Sequence, residues 1–249
     1  MKTKLILMTL LLVGIQVKAQ KLTKKTLNEY QLVTYKKTIK QALKYNDVQT
    51  AINNIHKIIV LEGENSTYKD SLAIVYYQSG NFMSSHLLTK ELLQSKPKNK
   101  QLLEINAISL QKLNAVKEAI EAYEKLFFET NNMIHGYQLA NLQYGIKRLT
   151  EAKLTIDKTL KSDVIEKAFI QFPIDKKQNQ NVPLKAAAYN LQGLIAFELK
   201  EYTQANTSFE DALKIMPKFA LATQNANAVL ITIQNEKKNN IKQTPSKTE

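Results

Sequence analysis

Cysteine and tryptophan are absent from the 249 residues, and arginine occurs once, as Arg148. Without cysteine there is no disulfide framework, no thiolate metal site, no lipobox-type lipid anchor and no cysteine nucleophile. Six glycines and five prolines leave little turn material for a β sandwich, a β barrel or a collagen-like rod. No glycine-rich phosphate loop and no GxSxG elbow occurs. The three histidines, His56, His86 and His135, stand far apart, so no pair at helical spacing is available to a metal. Glu62, Glu64 and Asp70 lie near Gly63, but not at the spacing of a calcium loop. The expectation is a chain with no catalytic residue, no cofactor and no metal, and therefore not an enzyme.

One long apolar run is present, at 5–15, and it is eleven residues long. A helix crossing the hydrocarbon core needs about 20. Lys2 and Lys4 precede the run, and Val17, Lys18 and Ala19 follow it at cleavage spacing. Residues 1–19 therefore predict an export signal, with Gln20 as the mature start and a periplasmic or secreted location. No second run of spanning length follows.

The formal charge is +13, of which +10 remains without Lys2, Lys4 and Lys18. Residues 20–44 hold seven lysines against Glu29, a balance of +6, and the tail from Glu236 adds +2. Residues 45–235 carry only about +2, so the basicity belongs to the ends. Such a patch attracts an anionic lipid surface, an acidic polysaccharide or an acidic protein. Nucleic acid is not expected, because the arginine forks that read guanine and phosphate are missing. Thirty-four lysines against one arginine suggest an AT-rich coding bias and, with the mature Gln20, a Bacteroidetes-like bacterium.

The most informative feature is internal periodicity. A polar pair, an apolar residue, two variable residues and a small residue recur from Asn46, Gly80, Asn114, Lys147 and Lys200. The small residues are Ala51, Ser85, Ala119, Ala152 and Ala205, at steps of 34, 34, 33 and 53. Each stretch separates two segments of helical apolar spacing, such as Leu72, Ala73, Tyr76 and Tyr77 before Gly80, and Leu87, Leu88, Leu92 and Leu93 after it. A small side chain is needed where two antiparallel helices pack closely. The apolar residue three positions earlier, such as Phe82 or Tyr202, is placed to seal the corner.

This pattern resembles the tetratricopeptide repeat. The last unit carries it best, with Tyr189, Gly193, Ala205, Phe209, Ala212 and Pro217, although Gln192 stands where leucine is usual. The first unit is the weakest, resting on Tyr35, Ala51 and Ile55. The resemblance implies an all-α fold, a right-handed α-solenoid of about five hairpins plus a C-terminal capping helix. A single hairpin cannot bury its apolar face, and stacking supplies the partner. The solenoid is expected over 20–237, with units at about 32–65, 66–99, 100–132, 133–162 and 186–219. A capping helix at 219–237 would cover the last hairpin with Phe219, Val229, Leu230 and Ile233, while Gln224, Asn225 and Asn227 face water. Residues 238–249 are expected to be a disordered basic tail.

The insertion at 163–185 contains Pro173, Pro183 and the polar run 175–181, which argue against one continuous helix. Val164, Ile165, Phe169 and Ile170 were candidates to prolong the preceding helix and cap the fourth unit. A long, partly apolar loop in a solenoid also serves as a partner element.

The resemblance further implies that the first helix of each hairpin lines a concave groove holding a peptide or a partner helix. Carried over, it implicates Lys36, Lys40 and Lys44, then Asp70, Tyr77 and Gln78, then Glu104, Gln111 and Lys112. Tyr137, Asn141 and Tyr144 follow, and Asn190, Phe197 and Glu198 complete the set. The function expected is a non-catalytic interaction scaffold or adaptor in the bacterial cell envelope, with a partly acidic protein or peptide as partner. The alternatives are docking to an anionic membrane or polysaccharide through the basic N-terminal helix, or service as an accessory subunit of an envelope enzyme complex.

Overall fold

The computed structural model describes residues 24–162, 168–174 and 178–243. The expected leader at 1–19, Val164 and Ile165, residues 175–177 of the polar run, and the end of the tail lie outside the described residues. The described chain forms α1 (Lys24–Lys44), α2 (Val48–Glu62), α3 (Tyr68–Gln78), α4 (Phe82–Ser95), α5 (Lys100–Lys112), α6 (Val116–Thr130), α7 (Met133–Gly145) and α8 (Leu149–Leu160). After these come β1 (Phe169–Pro173), β2 (Asn179–Pro183), α9 (Leu184–Glu198), α10 (Tyr202–Ile215) and α11 (Ala220–Gln243). The molecule divides into two compact units, one ending at Val75 and one beginning at Tyr76, within α3. Among the described residues no helix is long and apolar enough to cross a membrane.

The five repeated stretches are five copies of one turn. Asn46, Gly80, Asn114, Lys147 and Lys200 all adopt left-handed backbone, with φ between 58° and 78°. The next residue in each copy donates its N–H five residues back: Asp47 to Ala42, Asn81 to Tyr76, Ala115 to Leu110, Arg148 to Gln143 and Glu201 to Ala196. These bonds satisfy carbonyls that a helix end leaves orphaned. Left-handed backbone suits glycine and asparagine and strains lysine. The new helix starts at once, with Asp47 and Asn81 accepting from the backbone N–H of Thr50 and Ser84.

Five residues after each left-handed position comes the small residue. Ala51, Ser85, Ala119, Ala152 and Ala205 are all fully buried. In the first unit Ala51 is joined by Ile55 and Ile58 on α2, the helix packed against α1. In the second unit the core is a row of clusters. One joins Leu103, Ala107, Ala119, Tyr123 and Leu139; the next joins Met133, Ala152, Ile156, Leu184 and Phe219; the last joins Ala205, Phe209, Ala226 and Val229. Each cluster draws on adjacent hairpins, so burial passes from neighbour to neighbour. One close approach is at Gly193, where an added methyl carbon would sit 2.5 Å from the ring of fully buried Phe209.

The insertion differs from the sequence expectation. α8 stops at Leu160, and Phe169 and Ile170 belong to β1 rather than to a prolonged helix. β1 and β2 pair antiparallel from Phe169 with Pro183 to Pro173 with Asn179. Strand alternation turns Ile170 and Phe172 toward the protein and Phe169 and Gln171 outward. Val182 is fully buried, and the Phe172 ring lies 5.1 Å from that of Phe219. Gln180 ties the hairpin to the last turn: its Nε2 donates to the Lys218 carbonyl at 2.5 Å, and its Oε1 accepts from the Ala220 N–H at 3.2 Å. The residues at 238–243, expected to be disordered, continue α11 to Gln243. Their composition holds no helix breaker, and the first proline beyond them is Pro245. Phe219, just before α11, and Val229 on it are buried, but Leu230 is exposed and Asn225 points inward, donating to Asn190 Oδ1 at 3.0 Å.

Two stability effects follow from this geometry. Nothing lies within 4 Å of a methyl built on Gly80, so Gly80→Ala tests the backbone alone and should lower stability by about 1 kcal/mol. Lys200→Gly should do the opposite, by about 0.5 kcal/mol, in urea unfolding followed by far-ultraviolet circular dichroism. Gly193→Ala should cost about 1–3 kcal/mol by overpacking, and a second change, Phe209→Leu, should recover part of that loss relative to additivity. Equal penalties for Gly193→Ala with and without Phe209→Leu would show that the ring is not what the glycine accommodates.

Candidate functional site

Within the second unit, α5 and α7 present a groove of about 500 Å3. Its lining includes Glu104, Ile108, Gln111 and Lys112 from α5, and Ile134, His135 and Gln138 from α7. The residues from α5 recur at 104, 108 and 111–112, so one helix face supplies them. Ile108 and Ile134 give the floor an apolar patch. Gln111 Nε2 approaches Gln138 Oε1 at 3.4 Å, and the Tyr123 hydroxyl donates to Gln111 Oε1 at 2.7 Å. The Gln111–Gln138 bond is long, and both side chains are only half-buried, so each keeps hydrogen-bonding capacity for a ligand. At one end, His135 Nε2 lies 3.8 Å from Glu104 Oε1, while its Nδ1 is 2.8 Å from Thr130 Oγ1. The neighbouring His135 imidazole holds the Glu104 carboxyl below the ordinary carboxylate range. Burial pushes the Tyr123 hydroxyl well above the usual phenol range. Tyr123 is therefore a neutral donor at any physiological pH.

Three sequence-predicted residues, Glu104, Gln111 and Lys112, meet in this groove. Asn141 and Gln78 are exposed elsewhere on their helices. Two other predictions are corrected. Tyr137 is 6% exposed and belongs to the core, with its hydroxyl pushed up to about 12 by burial. Asn190 is 1% exposed because α11 covers it, and its side-chain oxygen is occupied by Asn225. Tyr77 and Phe197 are half-buried for a shared reason. Each packs on the corner aromatic of its own turn, Tyr77 on Phe82 at 6.2 Å and Phe197 on Tyr202 at 5.5 Å. Tyr144 and Glu198 are brought together through Lys147, whose ammonium lies 5.5 Å from the Tyr144 ring centroid and 2.9 Å from Glu198 Oε1. In the first unit, Lys36, Lys40 and Lys44 are exposed on α1, Lys36 lies over the Tyr68 ring at 5.5 Å, and Asp70 is half-buried.

A larger cavity, about 1040 Å3, was not anticipated. It lies among α8, α9, α10 and α11, and its lining includes Lys153, Asp157, Tyr189, Gln192, Glu201 and Ile233. Gln192, the departure from the usual leucine, donates to Asp157 Oδ1 at 2.7 Å and accepts from the Ser208 hydroxyl at 3.0 Å. Lys153 reaches Glu201 Oε2 at 2.5 Å. Lys153 with Glu201 and Gln192 with Asp157 are thus paired with one another across the cavity. The only available signal was Gln192 itself, a polar residue in an apolar register. Among the described residues no three His, Asp or Glu side chains gather closely enough to hold a metal ion.

No family model matches the sequence, and no curated protein matches it either. Solved structures do match. The crystal structure of MamA aligns with a TM-score of 0.54 at 18% identity, covering 66% of this chain and 85% of that one. A tetratricopeptide repeat protein from Parabacteroides merdae aligns with a TM-score of 0.58 at 14% identity, covering 82% of this chain and 74% of its own. YrrB, described as a TPR protein with an unusual peptide-binding site, aligns with a TM-score of 0.58 at 17% identity, covering 76% of this chain and 89% of its own. At these identities the likeness is one of fold, and it agrees with the five turns and the row of hairpin cores: the chain is an all-α solenoid with the tetratricopeptide-repeat fold.

Proposed function

We propose that the protein is a non-catalytic scaffold, exported to the bacterial cell envelope by its N-terminal leader, that holds a partner protein by an extended segment. The observation that carries this reading is the groove between α5 and α7. It sets amide groups with remaining hydrogen-bonding capacity over an apolar floor, which is how an extended backbone is held with little regard to its sequence. The structural likeness to YrrB supports a peptide as ligand. Glu104 and Lys112 stand eight residues apart on α5, roughly 12 Å along a helix, and so give the groove a polarity. An acidic residue of the partner meets Lys112, an apolar residue meets Ile108 and Ile134, and a donor meets Glu104. The partner is therefore acidic in part rather than throughout.

The groove is tested by a photo-crosslinking amino acid placed at Lys112 in the full chain, expressed in its own cell envelope. A single captured protein is expected. The same group placed at Leu154, exposed on α8 and outside the groove lining, should capture none. Ile108→Asp should abolish capture from position 112 while leaving the far-ultraviolet circular dichroism unchanged. Equal capture from positions 112 and 154 would remove the groove as the binding surface.

A further inference from the structure

The outward face of α1 is used neither by the fold of the first unit nor by the groove of the second. α1 holds six lysines, at 24, 25, 36, 37, 40 and 44, against one acid, Glu29. At 100° per residue, Tyr30, Val33, Lys37, Lys40 and Lys44 fall within an arc of about 80°. Ala42 is buried on the opposite side, flanked by half-buried Leu32, Tyr35, Thr38 and Ile39. The outward arc is not purely charged. Tyr30 and Val33 are 69% and 52% exposed, and they precede the exposed lysines along the helix.

We propose that this face of α1 docks on an anionic lipid surface. Charge alone would fit any polyanion, and the apolar residues on the same arc decide between them. A soluble polysaccharide or an acidic protein tail would engage the lysines and leave Tyr30 and Val33 in water. A lipid surface takes both, with the lysine heads at the phosphates and the tyrosine and aliphatic side chains at the headgroup boundary. The lysines also have long apolar stems that lie along such a boundary while their ammonium groups stay wet. Lys37, Lys40 and Lys44 on the arc, with Lys36 beside it, outnumber Glu29 at its edge and leave the face net positive. The helix lies in the interface rather than crossing it, since its apolar residues form a stripe and not a continuous run.

The test uses the full chain with vesicles of phosphatidylcholine alone and of phosphatidylcholine with 30% phosphatidylglycerol. The chain has no tryptophan, so Val33→Trp supplies a single indole at the docking face. Co-sedimentation with the anionic vesicles, a blue shift of the indole emission, and weakening between low and moderate salt are expected. Lys37→Glu, Lys40→Glu and Lys44→Glu together should lower vesicle partitioning by at least about a hundredfold. Circular dichroism should be unchanged, because all three side chains are exposed. The leader is common to both chains, so it cannot produce that difference. Binding to soluble alginate with the same affinity and no blue shift would overturn the proposal, as would vesicle partitioning that the three charge reversals leave unaltered.

Discussion

Close approach of two helices requires that one of them present no more than a small side chain at the crossing, and that the chain reverse within a few residues to get there. The left-handed residue and the buried small residue five positions later meet both requirements. Together they fix where each hairpin turns and how near its helices lie. The rest of the fold depends on that distance. A larger side chain at Ala119 or Ala205 would part the backbones and open the clusters on either side, because each cluster is built from adjacent hairpins. Tolerance is greater in the turn. Lys147 and Lys200 occupy left-handed positions that glycine and asparagine fill elsewhere, and the strain is offset by helices already held together by packing.

Polar substitution within an apolar register shows the same economy of neighbours. Gln192 replaces an apolar residue, and its amide would be costly to bury alone. It is matched on one side by Asp157 from the preceding hairpin and on the other by Ser208 from its own. The bond to Asp157 crosses between repeats, so a departure from the common pattern is compensated by an adjacent departure. Asn190 and Asn225 make a second such pair where the final helix joins the stack. Neither residue would be polar at that place unless the other were.

Much of this was legible in the sequence because it is local and repeated. The turn chemistry at Asn46, Gly80 and Asn114, and the small residues at a spacing near 34, are each decided within one hairpin and recur in phase. What escaped is decided at a distance. Ile170, Gln171 and Phe172 alternate as a strand should, yet three residues of alternation next to a proline are equally a loop. Pairing with β2 makes them a strand, and the Phe219 ring and the Gln180 clamp on Lys218 hold the hairpin in place. Tyr137 and Asn190 sit at groove positions by register, but neighbouring elements cover them. Glu104, Gln111 and Lys112, named by register, do share one groove, because one face of α5 carries all three. His135 and Gln138 were missed because their role comes from facing α5 rather than from any motif of their own.

The last described helix and the first treat their apolar residues in opposite ways. A stack of hairpins leaves an apolar face at each end, and each must be covered or made acceptable to its surroundings. At the C-terminal end α11 covers it: Phe219, Ala226 and Val229 go into the core, and Thr223, Gln224 and Asn227 remain exposed. On α1, in the first unit, Tyr30 and Val33 remain exposed beside lysines. A face meant only for water would need no aromatic or β-branched residue there, and a face meant only for solubility would need no run of one charge. Both occur together on one helix of the first unit, while the amide-lined groove belongs to the second. Under the proposals made here, the basic helix sets where the scaffold sits and the groove sets what it holds, so each can vary in sequence without disturbing the other's chemistry.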